Sequence, residues 1–153
     1  MTTLNKTFFQ QLLATDAGIA SLALRIPVGI ILLAHGAQKL FGAFGGYGLE
    51  GTGQWMASIG LEPGYLMALL AGSAEFFGGL ALILGFLTRP AAVVAALTLL
   101  VAIVTVHLEN GLFLSNNGYE FGLALLAASV SLIFAGAGSL SIDNIIAKRL
   151  ASE

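Results

Sequence analysis

The sequence predicts an all-α membrane protein: a polytopic four-helix bundle with short interfacial helices. Of its 153 residues, 58% are hydrophobic and only 9% are charged, and the mean hydropathy is +0.94. A water-soluble domain has about a quarter of its residues charged, so most of the outer surface of this chain must face lipid. Four long apolar stretches provide the predicted membrane spans.

Each predicted span is long enough to cross the hydrocarbon core, which takes about 20 helical residues. One domain is predicted to cover residues 1–153, with a glycine-rich outer loop at 42–63 that contains an interfacial helix around Trp55. Another short surface helix is predicted within the first seventeen residues. The spans run from Gly18 to Phe41, from Gly64 to Phe86, from Pro90 to His107 and from Tyr119 to Gly136.

The distribution of basic residues predicts the orientation of the spans. Lys6, Arg89, Lys148 and Arg149 lie at one end of the spans, whereas Lys39 is the lone basic residue near the other end. Because cytoplasmic segments carry the excess of lysine and arginine, both termini are predicted to be cytoplasmic. The predicted location is the bacterial inner membrane, in which the chain is a multi-pass protein in contact with the lipid bilayer.

The composition also excludes several kinds of function. The formal net charge is −2 and no basic cluster is present, so the positive patch that nucleic acids require is missing. The absence of cysteine excludes disulfides, thiolate metal sites and iron–sulfur clusters within this chain. Any redox chemistry would therefore depend on a bound cofactor, a diffusible one such as a quinone, or a partner protein.

Ionisable residues within the spans are the strongest functional signal, because a charge in hydrocarbon is costly and normally faces a partner or a cavity. Arg25, His35 and Lys39 share one arc of the first span, and Glu75 lies between glycines in the second. We predict a shared polar pocket between these two spans, in which all four residues bind a ligand. Glu75 and His35 are the predicted catalytic, proton-exchanging residues. The alternative is a buried ion pair that only fixes helix packing.

A second polar group lies at the predicted outer boundary. His107, Glu109 and Glu120 form the predicted outer rim of the site. Two histidines are typical ligands of a haem or a metal ion. By helical rise, however, His35 lies about 10 Å deeper in the membrane than His107. No other soft ligand is present, so we predict no haem and no metal site, and the sequence contains no recognisable flavin site.

The fourth span has a face of small residues, which predicts close helix packing. Exposed glycine and alanine seams of this kind also predict a homo-oligomer, most simply a dimer. The face comprises Glu120, Ala124, Ala127, Ser131, Ala135 and Gly138.

Several short motifs, in this order and spacing, resemble the DoxX family from about residue 20 to residue 145. They are Arg25 and Gly29 followed by His35-Gly36 and Lys39-Leu40; Glu75-Phe76-Phe77-Gly78-Gly79; Gly85-Phe86-Leu87-Thr88-Arg89-Pro90-Ala91; His107; Gly118-Tyr119-Glu120; and Gly136-Ala137-Gly138-Ser139-Leu140-Ser141-Ile142-Asp143.

This resemblance implies a quinone-linked redox function. Some DoxX-like proteins form the membrane subunit of a thiosulfate:quinone oxidoreductase or accompany a terminal quinol oxidase, and others are linked to quinone or thiol stress. By that analogy the buried polar residues would meet a quinone or another small redox molecule, and a partner protein would donate the electrons. Two alternatives remain: a small-molecule or proton-coupled transporter, and a non-catalytic assembly subunit.

Overall fold

The computed structural model describes residues 3–15 and 17–152, and every regular element in these ranges is helical. The prediction of an all-α fold is confirmed. The helix α5 continues as a π-helical turn, Ile103–His107. The helices are α1 (Thr3–Leu13), α2 (Ala20–Phe41), α3 (Gly48–Ser58), α4 (Gly64–Leu84), α5 (Thr88–Ala102), α6 (Glu120–Ala135) and α7 (Ile142–Ser152).

Within the described ranges, three helical segments are long and apolar enough to cross a membrane: α2, α4 and the segment Thr88–Asn110 that begins with α5. The apolar helix α6 packs against α5 and α2 but has only 16 residues. Its rise is about 24 Å, less than the roughly 30 Å of a bilayer core. The prediction of a membrane helical bundle is confirmed, and α6 is its short member.

Helices α2 and α4 are in direct backbone contact because glycines face each other at their crossing. A methyl group on Gly29 would lie 2.7 Å from the carbonyl oxygen of Gly79, and one on Gly36 would collide with the backbone of Phe76. Lipid gives no hydrophobic drive for helix association, so such close approach stabilises the pair through van der Waals packing.

We expect Gly36→Ala to lower the free energy of unfolding by about 1–3 kcal/mol, because the added methyl group forces α2 and α4 apart. Gly78→Ala is the matched control, since its methyl group would lie 3.9 Å from the nearest atom outside its own helix, the carbonyl oxygen of Ala91. Thermal unfolding of the purified variants in detergent measures the difference. Equal melting temperatures for the two variants would contradict this account of the α2–α4 contact.

The outer surface of the bundle carries large apolar side chains. Phe77 is 60% exposed, Leu97 is 58% exposed and Phe134 is 78% exposed. Only hydrocarbon tolerates such a continuous apolar surface, so these helices contact the bilayer. The interior is built largely from smaller or aliphatic residues: Val28, Leu32, Leu82, Ala91, Ala92, Ala95, Leu99, Leu125 and Leu132.

The prediction of a packing seam on the last span is wrong within the chain. Ala124, Ala127 and Ser131 are exposed, whereas Leu125 and Leu132 turn inward. The two leucines lie seven residues apart on one face and are large enough to fill the space toward α5 and α2. The middle of the small-residue face is therefore on the outside, whereas Ala135 is half-buried and Gly138 is buried. The predicted homo-oligomer stays a prediction.

The two ends of the bundle are closed differently. At one end α1 packs against α7, and the Gln10 side chain donates a hydrogen bond to the carbonyl of Leu150 at 3.1 Å. At the other end α3 lies against α2 and α4, with Gly53 in contact with the backbone of Tyr65. We call these the α1–α7 end and the α3 end. The positive-inside rule predicts that the α1–α7 end is cytoplasmic.

Candidate functional site

The centre of the candidate site is an ion pair between Lys39 of α2 and Glu75 of α4. Lys39 Nζ lies 2.7 Å from Glu75 Oε2, and the two side chains are 22% and 10% exposed. Near the end of α2, Lys39 and Leu40 pack against Gly72. The first residues of α4, about two turns, therefore extend beyond α2, where α3 covers them. This offset brings a residue near the end of α2 level with the middle of α4.

A pocket of about 640 Å³ opens beside this ion pair, between α4 and α5 and next to α3. We call it the main pocket. Most of its wall is apolar, as is typical of sites for small organic molecules, where a few polar groups fix the orientation of the ligand. It is lined by Lys39, Trp55, Met56, Leu61, Met67, Leu70, Ala71, Ala74, Glu75, Leu97, Thr98, Val101, Ala102, Thr105, Val106, His107 and Asn117.

Two threonines of α5 contribute little polarity to the main pocket. The hydroxyl of Thr98 donates to the carbonyl of Val94 at 2.9 Å, and that of Thr105 donates to the carbonyl of Val101 at 2.8 Å. Hydroxyls bonded to their own helix in this way have no donor left for a ligand. The Lys39–Glu75 pair is therefore the main source of charge in the pocket.

His107 supplies a polar group at the α3 end of the pocket. Its Nδ1 lies 2.9 Å from the carbonyl oxygen of Asn117. A carbonyl only accepts, so Nδ1 carries the hydrogen and Nε2 of the neutral ring is left as an acceptor. His107 is the last residue of the π-helical turn Ile103–His107, and such turns are frequent at functional sites. Thr98 and His107 both line the pocket and lie nine positions apart, so the pocket extends roughly 13 Å along this helix.

Arg25 does not join this group, contrary to the prediction that it shares a polar pocket with Glu75. Arg25 is 1% exposed, and within residues 3–15 and 17–152 its side chain donates to backbone carbonyls alone, at the α1–α7 end. The acceptors are the carbonyls of Leu82 at 3.1 Å, Ile83 at 2.6 Å, Ala137 at 3.0 Å and Leu140. Arg25 therefore caps the end of α4 and holds the segment that follows α6.

His35 lies close to the ion pair but outside the main pocket. The imidazole is exposed on α2, one helical turn before Lys39 on the same face. It is not among the residues that line the pocket. The expected pocket between the first two spans is not formed at their crossing, because Gly29 and Gly36 bring the backbones together there. The main pocket opens on the other side of α4.

The other two predicted rim residues lie outside the main pocket. Glu120 accepts a hydrogen bond from the backbone nitrogen of Leu114 at 2.6 Å and so closes the loop before α6. Glu109 is exposed on the surface. Of the predicted rim, His107 alone lines the pocket.

A second pocket of about 440 Å³ lies at the α3 end, and Lys39 and Trp55 line both pockets. We call it the glycine-lined pocket. The two shared side chains form part of the wall between the pockets. Its other lining residues are Gln38, Gly45, Gly46, Tyr47, Gly51 and Thr52.

Comparison with known proteins gives the family. The model of the DoxX family matches residues 20–108, which is more than half of the chain and includes both members of the ion pair. The chain belongs to the DoxX family. No solved structure matches it.

Three relatives of this DoxX protein illustrate the family. A Bacillus subtilis protein named "Putative oxidoreductase CatD" is 38% identical over 85% of this chain and 89% of its own length. Two Escherichia coli proteins are also similar. "Inner membrane protein YqjF" is 34% identical over 88% of this chain and 95% of its own, and "Inner membrane protein YphA" is 32% identical over 78% and 84%. With the apolar helices, these likenesses identify a multi-pass protein of the bacterial inner membrane.

Proposed function

We propose that this DoxX protein binds a quinone-like redox molecule in the main pocket and serves as a membrane subunit of an oxidoreductase system. The observation that carries the proposal is the Lys39–Glu75 ion pair, which opens into an otherwise largely apolar pocket between membrane helices. The name of the Bacillus subtilis relative, which includes the word oxidoreductase, also supports a redox role.

The chemistry of quinones suits these residues. Reduction of a quinone to a quinol adds two electrons and two protons to the two carbonyl oxygens. The ammonium group of Lys39 can donate a hydrogen bond to one of these oxygens and then a proton. Glu75 is a carboxylate in the ion pair, so it can pass a proton to Lys39 only after it has taken one up, and two such cycles would supply both protons of the quinol. His35, which lies one helical turn before Lys39 and outside the pocket, is suited to supply these protons. The electrons would come from a redox partner protein, because no residue of this chain is an electron carrier.

The single tryptophan of the chain provides a direct test, because Trp55 lines the main pocket. We expect a tail-free ubiquinone analogue, ubiquinone-0, to quench Trp55 fluorescence in a saturable way in purified detergent-solubilised protein. Glu75→Gln and Lys39→Met should each weaken binding about tenfold or more, as loss of one polar contact worth about 1.4 kcal/mol does.

Glu109→Gln is the matched control, since Glu109 is an exposed carboxylate outside the pocket. It should leave the titration unchanged. Linear, non-saturating quenching that is identical in all four proteins would refute the proposal.

A second candidate function is proton-coupled transport of a small molecule. The glycine-lined pocket favours it, because Lys39 borders a pocket on each side and could face either one. In proteoliposomes this function requires substrate uptake that is driven by a proton gradient and abolished by Glu75→Gln. Uptake at the level of empty liposomes, together with saturable quenching of Trp55, would favour the redox function.

A further inference from the structure

A second space between α4 and α5 is an apolar groove of about 460 Å³. Ala74 lines both the main pocket and this groove, so the two spaces adjoin at that residue. We call the second space the apolar groove. Its lining contains one hydroxyl side chain, Ser73, and is otherwise without polar side chains: Ala74, Phe77, Gly78, Leu80, Ala81, Leu84, Phe86, Leu87, Pro90, Ala91 and Val94.

The shape of the apolar groove follows from its residues. Its floor is formed where two small residues meet, since a methyl group on Gly78 would lie 3.9 Å from the carbonyl oxygen of Ala91. Larger side chains, including Phe77, Leu84 and Val94, stand along it and are partly exposed. From Ala74 to Leu84 the groove extends along α4 by roughly 15 Å. This length lies within helices that cross the bilayer.

The geometry points to a long hydrocarbon tail in the apolar groove, belonging to the same molecule whose head group occupies the main pocket. The ligand class is then an isoprenoid quinone rather than a water-soluble redox molecule. This inference rests on the proposed function. The charged pair and His107 line the main pocket, apolar side chains line most of the groove, and only the small residue Ala74 is shared between the two. Two adjoining spaces, one with charged groups and one apolar, match the polar head group and the apolar tail of an isoprenoid quinone.

The groove also gives such a ligand a route of entry. Phe77 and Val94 are 60% and 43% exposed, so the groove is open toward the surrounding lipid. A molecule dissolved in the bilayer could therefore slide in from the side, head group first, without crossing an aqueous phase. The competing occupant is the acyl chain of an ordinary bilayer lipid, which would fill the groove regardless of what is bound in the main pocket.

Photolabelling separates these occupants. The probe is a benzoquinone with a ten-carbon chain that carries a diazirine at its far end, used on the full chain in lipid nanodiscs. We expect the label on peptides containing groove residues, and we expect excess tail-free ubiquinone-0 to reduce that labelling at least fivefold. Labelling of the same peptides that resists this competition would identify a nonspecific chain in the groove and overturn the inference.

Filling the groove provides a second test. Gly78→Leu should lower the competable labelling about tenfold, while tail-free ubiquinone-0 still quenches Trp55 with unchanged affinity. Ala81→Leu offers the same blockage at a half-buried position if Gly78→Leu does not fold, and Val130→Leu on the exposed face of α6 is the matched control. Competable labelling that survives in a folded blocked variant would overturn the inference.

The two proposals fail in different ways. If ubiquinone-0 does not quench Trp55 saturably, the proposed function fails. If ubiquinone-0 binds but tail labelling is insensitive to competition, the proposed function stands and the tail assignment fails.

Discussion

Arg25→Met is expected to lower the free energy of unfolding by about 3–5 kcal/mol, because it removes a buried charge that several groups depend on. The wild-type guanidinium is 1% exposed and donates to four backbone carbonyls. Each buried acceptor left without a partner costs about 1–3 kcal/mol, although local relaxation and water recover part of that sum. Methionine is similar in length and apolar, so the variant mainly tests the lost donors.

The loss extends to a second buried group, Asp143 at the start of α7. Its carboxylate is 1% exposed and accepts from the backbone nitrogens of Leu87 at 2.7 Å and Thr88 at 2.9 Å. These nitrogens belong to the first turn of α5 and its preceding residue, so Asp143 caps α5 while Arg25 caps α4. Arg25 is attracted to Asp143 electrostatically. Removing the cation therefore loosens both sides of the turn between α4 and α5.

Arg89→Met is the matched control. Arg89 also donates to two backbone carbonyls, those of Gln11 and Phe134, each at 3.1 Å, but these bonds are exposed. Its loss should cost about 1 kcal/mol or less, as is usual near the surface. Unfolding of the purified proteins in mixed micelles by added dodecyl sulfate measures both. If Arg25→Met is as stable as Arg89→Met and instead loses binding of ubiquinone-0, then Arg25 is a ligand residue after all.

The hydrogen-bond partners of Arg25 could not be predicted from the sequence. Membrane spans are predictable because the transfer of apolar side chains into lipid is a local property of each segment. The partners of Arg25 are backbone carbonyls, including those of Ala137 and Leu140, and a backbone carbonyl has no signature in the sequence. The sequence predicts that the charge is buried with partners, but not that those partners lie more than a hundred residues away.

The position of Glu75 shows a second limit. Depth estimates from helical rise assume that neighbouring spans begin in one plane, and on that basis His35 and Arg25 lie within reach of Glu75, whereas Lys39 lies nearer the outer end of its span. The start of α4 lies about two turns beyond the end of α2, because α3 packs there. This tertiary offset selects Lys39. The offset depends on the fold of the loop 42–63. Hydrophobic periodicity does not predict how this loop positions α4 along α2.

The wall that α5 contributes to the main pocket was also hard to predict. Thr98 and Thr105 lie seven residues apart on one face, which is equally typical of a buried, a lipid-facing or a pocket-lining face. The π-helical turn that ends at His107 contains an extra residue in one helical turn, and the sequence Ile103–His107 gives no sign of it. Pockets of this kind arise from helix arrangement, which single-span patterns do not encode.

A double-mutant cycle on the ion pair should separate a functional site from a packing device. Lys39→Met alone leaves the Glu75 carboxylate without a counter-charge, and Glu75→Leu alone does the same to the ammonium group. Each single variant should lose about 3 kcal/mol of stability, because an uncompensated charge in an apolar environment is costly. The double variant should recover most of that loss, since apolar residues of similar volume replace a buried pair at little cost.

Binding should not recover with stability. We expect the double variant to unfold in dodecyl sulfate within about 1 kcal/mol of the wild type, which corresponds to a coupling energy of about 5 kcal/mol for the pair. Its Trp55 quenching by ubiquinone-0 should stay at least tenfold weaker, because the groups that contact the ligand are gone while the pocket keeps its shape. Stability and binding are measured on the same preparations, so a misfolded variant is recognised at once.

Recovery of both stability and binding in the double variant would be equally decisive. A double variant as stable as the wild type that also binds ubiquinone-0 with wild-type affinity would show that the Lys39–Glu75 pair only orders the helices, as in an assembly subunit. A residue pair that only holds helices together needs complementary volume, which the two apolar residues of the double variant supply without any charge. A site for a polar head group needs donors and acceptors that face the pocket, and no apolar pair supplies those. The charge of this pair is therefore the property on which the proposed binding of a quinone head group depends.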